Sequence, residues 1–129
     1  VRYRGRSRQD QVSELYAEID VLLAPSVWPE GFGLVAREAL ACGCWVVASD
    51  RGAVGDDVVP GQNGFVIDVE TVGPIKAVLE AINADPETYM RSPEYKSTLR
   101  SSTDQAEELV KIYREILTTH IPLCGGAAR

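Results

Sequence analysis

A single histidine, His120, is all that this chain of 129 residues offers for imidazole chemistry. A Ser-His-Asp or Cys-His nucleophilic mechanism therefore has little to build on, and so has a histidine-ligated metal site. His120 follows the last helical pattern, where it can favour the helix C-terminus electrostatically. Cysteine is scarce as well. Cys42, Cys44 and Cys124 form no C-x-x-C and no disulfide framework, which favours a reducing compartment. Cys42 and Cys44 read as small core residues near a helix end. No apolar run approaches the ~20 residues that span a bilayer, and no N-terminal signal pattern is present. Positive charge is in deficit: 13 Lys and Arg against 19 Asp and Glu leave a net charge of −6. That balance argues against a nucleic-acid partner, whose polyanionic backbone selects basic surfaces. A cytoplasmic location is expected, and the start at Val1 without methionine suggests that the true N-terminus lies upstream.

What is present is an ordinary soluble composition, 45% apolar and 25% charged, in a length that suits one domain. Val1-Arg-Tyr3 reads as a short strand. Ser7 can cap a following helix, with Asp10 reaching back and Val12, Leu15, Tyr16 and Ile19 as its apolar stripe. Asp20-Val-Leu-Leu-Ala24 is a short continuous apolar run closed by Pro25-Ser26, the mark of a buried strand. A helix opens near Gly33, and Trp45-Val-Val-Ala48 is a second buried strand. Residues 51–64 read as loop with a short helix around Asp56 to Val59, and Phe65-Val-Ile67 is a further strand. A helix over 71–84 carries Ile75, Val78, Leu79 and Ile82 on one face. Ser102 with Gln105 forms a capping-box signal for a last helix bearing Ala106, Leu109, Val110, Tyr113, Ile116 and Leu117. Strands alternating with helices predict a Rossmann-like α/β fold, a parallel sheet of about four strands flanked by helices. Four strands fall short of the six of a complete doubly wound sheet, so the chain reads as part of a larger nucleotide-binding domain.

The chemistry concentrates between Pro25 and Gly43. Glu30 and Glu38 stand eight positions apart, with Gly31, Phe32 and Gly33 making a turn into the helix. A strand, a glycine turn and a helix present backbone amides to an anion. Carboxylates repel phosphate, so Glu30 and Glu38 suit hydroxyl groups beside it. A ligand with both phosphate and many hydroxyls is a sugar nucleotide. Each residue also has a plainer reading. Glu38 can be a rim glutamate paired with Arg37 or a neighbouring loop. Glu30 can be an acidic residue held by the helix dipole, worth about 0.3–1 kcal/mol. The glycines can simply turn the chain, Phe32 can pack its loop, and the arginines near Arg6 can be a solvated basic edge.

Gly5 before an amphipathic helix, Asp20 opening a strand, Pro25-Ser26, Glu30-Gly-Phe-Gly, Glu38-Ala-Leu-Ala, Val46-Val-Ala-Ser-Asp50 and Gly61-Gln-Asn-Gly64 come in one order. That series resembles the family-four retaining glycosyltransferases of the GT-B fold, with Glu30 and Glu38 as their E-x7-E pair. The likeness is dense over the first half of the chain and looser at the terminal helix near Tyr113. It implies a C-terminal half of a GT-B nucleotide-sugar-binding domain over residues 1–121, and the Gly- and Ala-rich residues 122–129 read as a disordered tail. It implies retaining transfer of a sugar from a nucleotide donor to an acceptor hydroxyl, in glycan or polysaccharide biosynthesis. It implies no metal and no other cofactor, in keeping with the lack of any Asp-x-Asp in the sequence.

By the same resemblance Glu30 is the catalytic carboxylate at the donor sugar, and Glu38 accepts the ribose hydroxyls. Amides around Gly31, Phe32, Gly33 and Leu34 hold the diphosphate, and Arg6 and Ser7 read the base. The family's Gly-Arg loop and lysine, which neutralise the diphosphate, have no equivalent segment here. The glycan or lipid-linked acceptor would come through an N-terminal domain absent from this chain. The isolated chain is thus expected to be inactive, with any peripheral membrane contact left to the parent enzyme. Gly52-Ala53 and Asp56 stand where the family has two glycines and a glutamate, and Trp45 replaces a usual proline as a packing variation. The alternative is a non-catalytic nucleotide-sugar-binding or interaction module of the same half-fold.

Overall fold

The computed structural model describes residues 2–6, 8–90, 92–93 and 101–120. The chain divides into two compact units, Val1–Leu99 and Arg100–Arg129. In the first, three strands form a parallel sheet in the order β1 (Val21–Ala24), β2 (Trp45–Ser49), β3 (Gly64–Ile67). Val21 to Ala24 pair with Trp45 to Ala48, and Val46 to Ser49 pair with Gly64 to Ile67.

Central β2 is buried along its whole length, as an apolar run paired on both edges and covered on both faces should be. Its alternate residues serve different layers. Val46 and Ala48 pack with Tyr16 of α1 (Val12–Ala17) and with Ala36, Ala39 and Leu40 of α2 (Leu34–Ala41). Trp45 points the other way and meets Tyr89 of α4 (Pro86–Tyr89) edge-on at 5.1 Å between ring centroids. Phe65 of β3 lies 6.0 Å from the same ring, so Trp45 is indeed a packing residue. Fully burying a valine or leucine stabilises by roughly 1.5–3 kcal/mol, so the β2 positions dominate this core. α3 (Val72–Ala84) follows β3, as its apolar period predicts, yet none of its residues is fully buried.

The α/β class and the parallel topology are as read from the sequence, and several details differ. Three strands are found among the described residues rather than four. Arg2 and Tyr3 belong to no strand, and Val1 lies outside the described residues. β1 is only half-buried, because it has a strand partner on one side alone. The short helix expected around Asp56 to Val59 is instead a 3-10 turn at Ala53–Gly55. Asp10 does not reach back to cap α1, because its carboxylate accepts from the Arg8 guanidinium at 3.0 Å. Cys44 is buried, but Cys42 is exposed.

In the second unit α5 (Ser102–His120) starts with a reciprocal cap one residue earlier than the Ser102–Gln105 reading. Ser101 Oγ accepts from the Asp104 N–H at 3.1 Å, while Asp104 Oδ2 accepts from the Ser101 N–H at 2.9 Å. An ionised carboxylate is a stronger acceptor than a glutamine amide, so the box settles on the aspartate. Ser7, Cys124, the 122–129 tail and the side chain of His120 lie outside the described residues.

Candidate functional site

At the carboxyl edge of the sheet the segment Pro25–Gly33 leads from β1 into α2. Two glycines decide its shape. Gly33, the N-cap of α2, has φ +64°, and a Cβ there would sit 2.6 Å from Val54 Cα. Gly52 has φ +66°, and its Cβ would sit 2.6 Å from the Glu30 nitrogen. Both positions need the left-handed backbone and the missing side chain. They mark where the turn before α2 and the loop after β2 touch backbone to backbone. A parallel bridge joins Glu30 to Gly52, and the Ala53 N–H donates to Glu30 O at 2.7 Å. The Glu30 main chain is therefore fixed, while its half-buried carboxylate has no partner among the described residues. The sequence reading assigned Gly52 no role, since nothing local to it announces a contact 22 residues away.

The α2 N-terminus is open. It has no side-chain cap and no acidic residue in its first turn. Phe32, Leu34 and Val35 around it are 60%, 55% and 52% exposed. Its first amides keep their partial positive charge available for an anion. Small Ala36 and Ala39, with Leu40, form the face against the sheet, because alanine lets the helix approach β2 closely.

Arg37 does not pair with Glu38. Its Nε lies 2.5 Å from Asp57 Oδ2, its Nη2 lies 4.0 Å from Asp56, and its Nη1 donates to Phe32 O. The guanidinium also sits 4.0 Å from the Phe32 ring centroid, a cation–π geometry. One side chain thus ties the glycine turn to the loop after β2. Phe32 is exposed under this arginine and is not a packed loop residue. Buried Asn63 supports the same loop, accepting from the Val59 N–H at 2.7 Å and donating to Asp57 O at 3.2 Å.

Glu38 sits one turn further along α2 and is half-buried. Its Oε2 accepts from the Tyr16 hydroxyl at 3.2 Å, and Val35 O lies 3.2 Å from the same hydroxyl. Tyr16 is 5% exposed. Burial first, and then the neighbouring Glu38 charge, push its phenol up to about 12. The sign follows from linkage. A proton held more tightly in the folded state leaves stability unaffected below the unfolded value of 10.0 and lowers it as pH rises from there to about 12. Alkaline denaturation should cost roughly 2 kcal/mol over that window through this group. Tyr16→Phe should remove that part of the slope in urea melts at pH 9 and pH 12. An identical slope in the variant would show that Tyr16 does not govern it.

The first segment contributes less than its charge suggests. Arg4 pairs with Glu18 and Arg8 with Asp10, which leaves Arg2 and Arg6 exposed and without a hydrogen bond or ion pair among the described residues. The described contacts do not join Arg6 to Glu30 or Glu38. The sequence reading passed over Arg51, which lies 2.7 Å from Glu70, 3.5 Å from Asp50 and 4.0 Å from Asp68. It ties together the loops after β2 and β3. Beside them a cleft of about 210 Å³ is lined by Pro25, Val27 and residues 67–72 with Ile75. Neither Glu30 nor Glu38 borders it, so its position does not identify the site. Among the described residues no group of three His, Cys, Asp or Glu side chains is placed to hold a metal. No helix among them is long and apolar enough to cross a membrane.

A parallel sheet flanked by helices, with a glycine turn at its carboxyl edge, is the architecture of the doubly wound α/β proteins. Within that class, residues 1–98 match the family described as glycosyl transferases group 1. The chain belongs to this family, which is of the GT-B type. It is 35% identical over 86 residues to a D-inositol 3-phosphate glycosyltransferase of Streptomyces bingchenggensis, covering 67% of this chain and 19% of that protein. It superposes on sucrose-phosphate synthase from Thermosynechococcus elongatus with a TM-score of 0.79 at 26% identity, over 92% of this chain and 31% of that one. Anabaena HepE, solved in complex with UDP and glucose, gives a TM-score of 0.56 at 27% identity, covering 87% of this chain and 29% of that one. The chain spans about a fifth of the length of the curated relatives it matches.

Proposed function

We propose that this chain is the donor-nucleotide part of a retaining, family-four glycosyltransferase over residues 1–121, acting from a nucleotide-sugar without a metal. The open N-terminus of α2, with Glu30 before it and Glu38 one turn inside it, is the observation that carries this reading. Amides of Phe32, Gly33 and Leu34, after the Gly31 bend, hold the diphosphate and stabilise it as it departs. Glu38 accepts from the ribose hydroxyls through charge-assisted bonds. Glu30, with fixed backbone and free carboxylate, faces the sugar where positive charge develops. Arg6 and Ser7 are assigned to the base edge. A neighbour solved with UDP and glucose supports a nucleotide-sugar donor. The acceptor, a glycan or lipid-linked sugar, is assigned to a part of the protein outside this chain. The reaction belongs in glycan or polysaccharide assembly on the cytoplasmic side.

Titrating nucleoside diphosphates against the labelled chain by NMR tests this. Amides of Phe32 to Leu34 should shift first, at about millimolar ligand, because the basic phosphate clamp is not in this chain. Glu38→Gln should weaken that binding about tenfold, the value of one charge-assisted acceptor. Shifts clustered elsewhere, or unchanged affinity in Glu38→Gln, would sink the assignment. Binding without sugar transfer by the full-length protein would favour the non-catalytic module.

A further inference from the structure

Glu38 is held by a neighbour from another element. Among the described residues the Tyr16 hydroxyl is the one side-chain group bonded to its carboxylate, at 3.2 Å. Arg37, next to it in sequence, is committed to Asp57 and Phe32 O. Tyr16 is itself held on both sides. Its ring is buried in the core with Ala36, Ala39 and Leu40, and its backbone oxygen lies 3.4 Å from the Cys44 thiol. A phenol has one proton to give. Of the two acceptors 3.2 Å away, the Glu38 carboxylate and Val35 O, the charged oxygen is the stronger. That bond fixes Oε2 and leaves the remaining lone pairs of Glu38 without a hydrogen bond among the described residues.

We propose that Tyr16 is a positioning residue that orients Glu38, so that a ligand with vicinal ribose hydroxyls is preferred over its deoxy counterpart. This rests on the reading of Glu38 as the ribose ligand. Without the phenol, Glu38 must be ordered when the ribonucleotide binds, and that cost falls on diol recognition alone. A 2′,3′-dideoxynucleotide, which has no ribose hydroxyl for the carboxylate to accept from, escapes it.

The experiment compares UDP with 2′,3′-dideoxy-UDP by calorimetry on the purified protein and on Tyr16→Phe. The wild type should prefer UDP. In Tyr16→Phe that preference should fall about fivefold, with dideoxy-UDP affinity within about twofold of wild type. A wild type that discriminates beside a variant that keeps the same ratio would overturn the role of Tyr16 and leave Glu38 standing. A wild type that does not discriminate would overturn both. If Tyr16→Phe fails to fold, the assigned ring resonances of Tyr16 in the wild type decide the matter. They should shift with UDP and stay still with dideoxy-UDP, and equal responses to the two ligands would refute the proposal.

Discussion

Gly52→Ala is expected to lower the unfolding free energy by about 3 kcal/mol and to release the turn before α2. Two penalties combine. Gly52 holds φ +66°, ψ −146°, a conformation that costs an alanine strain of its own. The added methyl would also stand 2.6 Å from the Glu30 nitrogen and 3.0 Å from the Pro29 carbonyl carbon. These are backbone atoms, so no side-chain rotation relieves the clash. The bridge to Glu30 and the Ala53–Glu30 hydrogen bond of 2.7 Å should open. Urea denaturation gives the stability, and amide exchange at Ala53 reports the strap directly. A variant with wild-type stability and a protected Ala53 amide would show that the two loops do not depend on this close approach.

On the proposed function, Glu30→Ala should leave the fold almost untouched and lower turnover of the full-length protein about 100-fold, with donor affinity within about twofold. Main-chain atoms make the strap to Gly52 and Ala53, so removing the carboxylate does not loosen it. The side chain has no partner among the described residues to leave stranded. In the role proposed for Glu30, a carboxylate beside developing positive charge acts mainly in the transition state, and electrostatic groups of this kind contribute roughly 10²–10³-fold. The loss should therefore appear in kcat and barely in KM. Near-normal turnover with a fall in melting temperature would mean that Glu30 is only a charge beside a helix terminus.

The pair separates two functions of one residue. Gly52→Ala disturbs the backbone of Glu30, whereas Glu30→Ala removes its carboxylate and spares that backbone. If both variants lose turnover but only the first loses stability, the strap positions a chemical group.

The elements were legible in the chain because their signals are local. The run Trp45 to Ala48 has no polar residue to turn outward, so it could only be a strand covered on both faces, and β2 is that. The period of Ile75, Val78, Leu79 and Ile82 specified α3 in the same way. The E-x7-E spacing, with two glycines after Glu30, was equally plain in sequence. What the sequence could not decide is which side chain each group meets. Arg37 stands next to Glu38, yet their neighbouring positions on α2 point apart, and the guanidinium reaches Asp57 on another loop. Glu38 instead meets Tyr16, 22 residues earlier, because packing α1 and α2 against one face of the sheet brings the phenol to it. Gly52 stands where the family has a glycine pair, but its contact with Glu30 exists only once the parallel sheet brings the ends of β1 and β2 together. Local spacing determined the helices, the strands and the order of the motif. The close approach of segments distant in sequence, which depends on packing rather than pattern, decided what holds each glutamate.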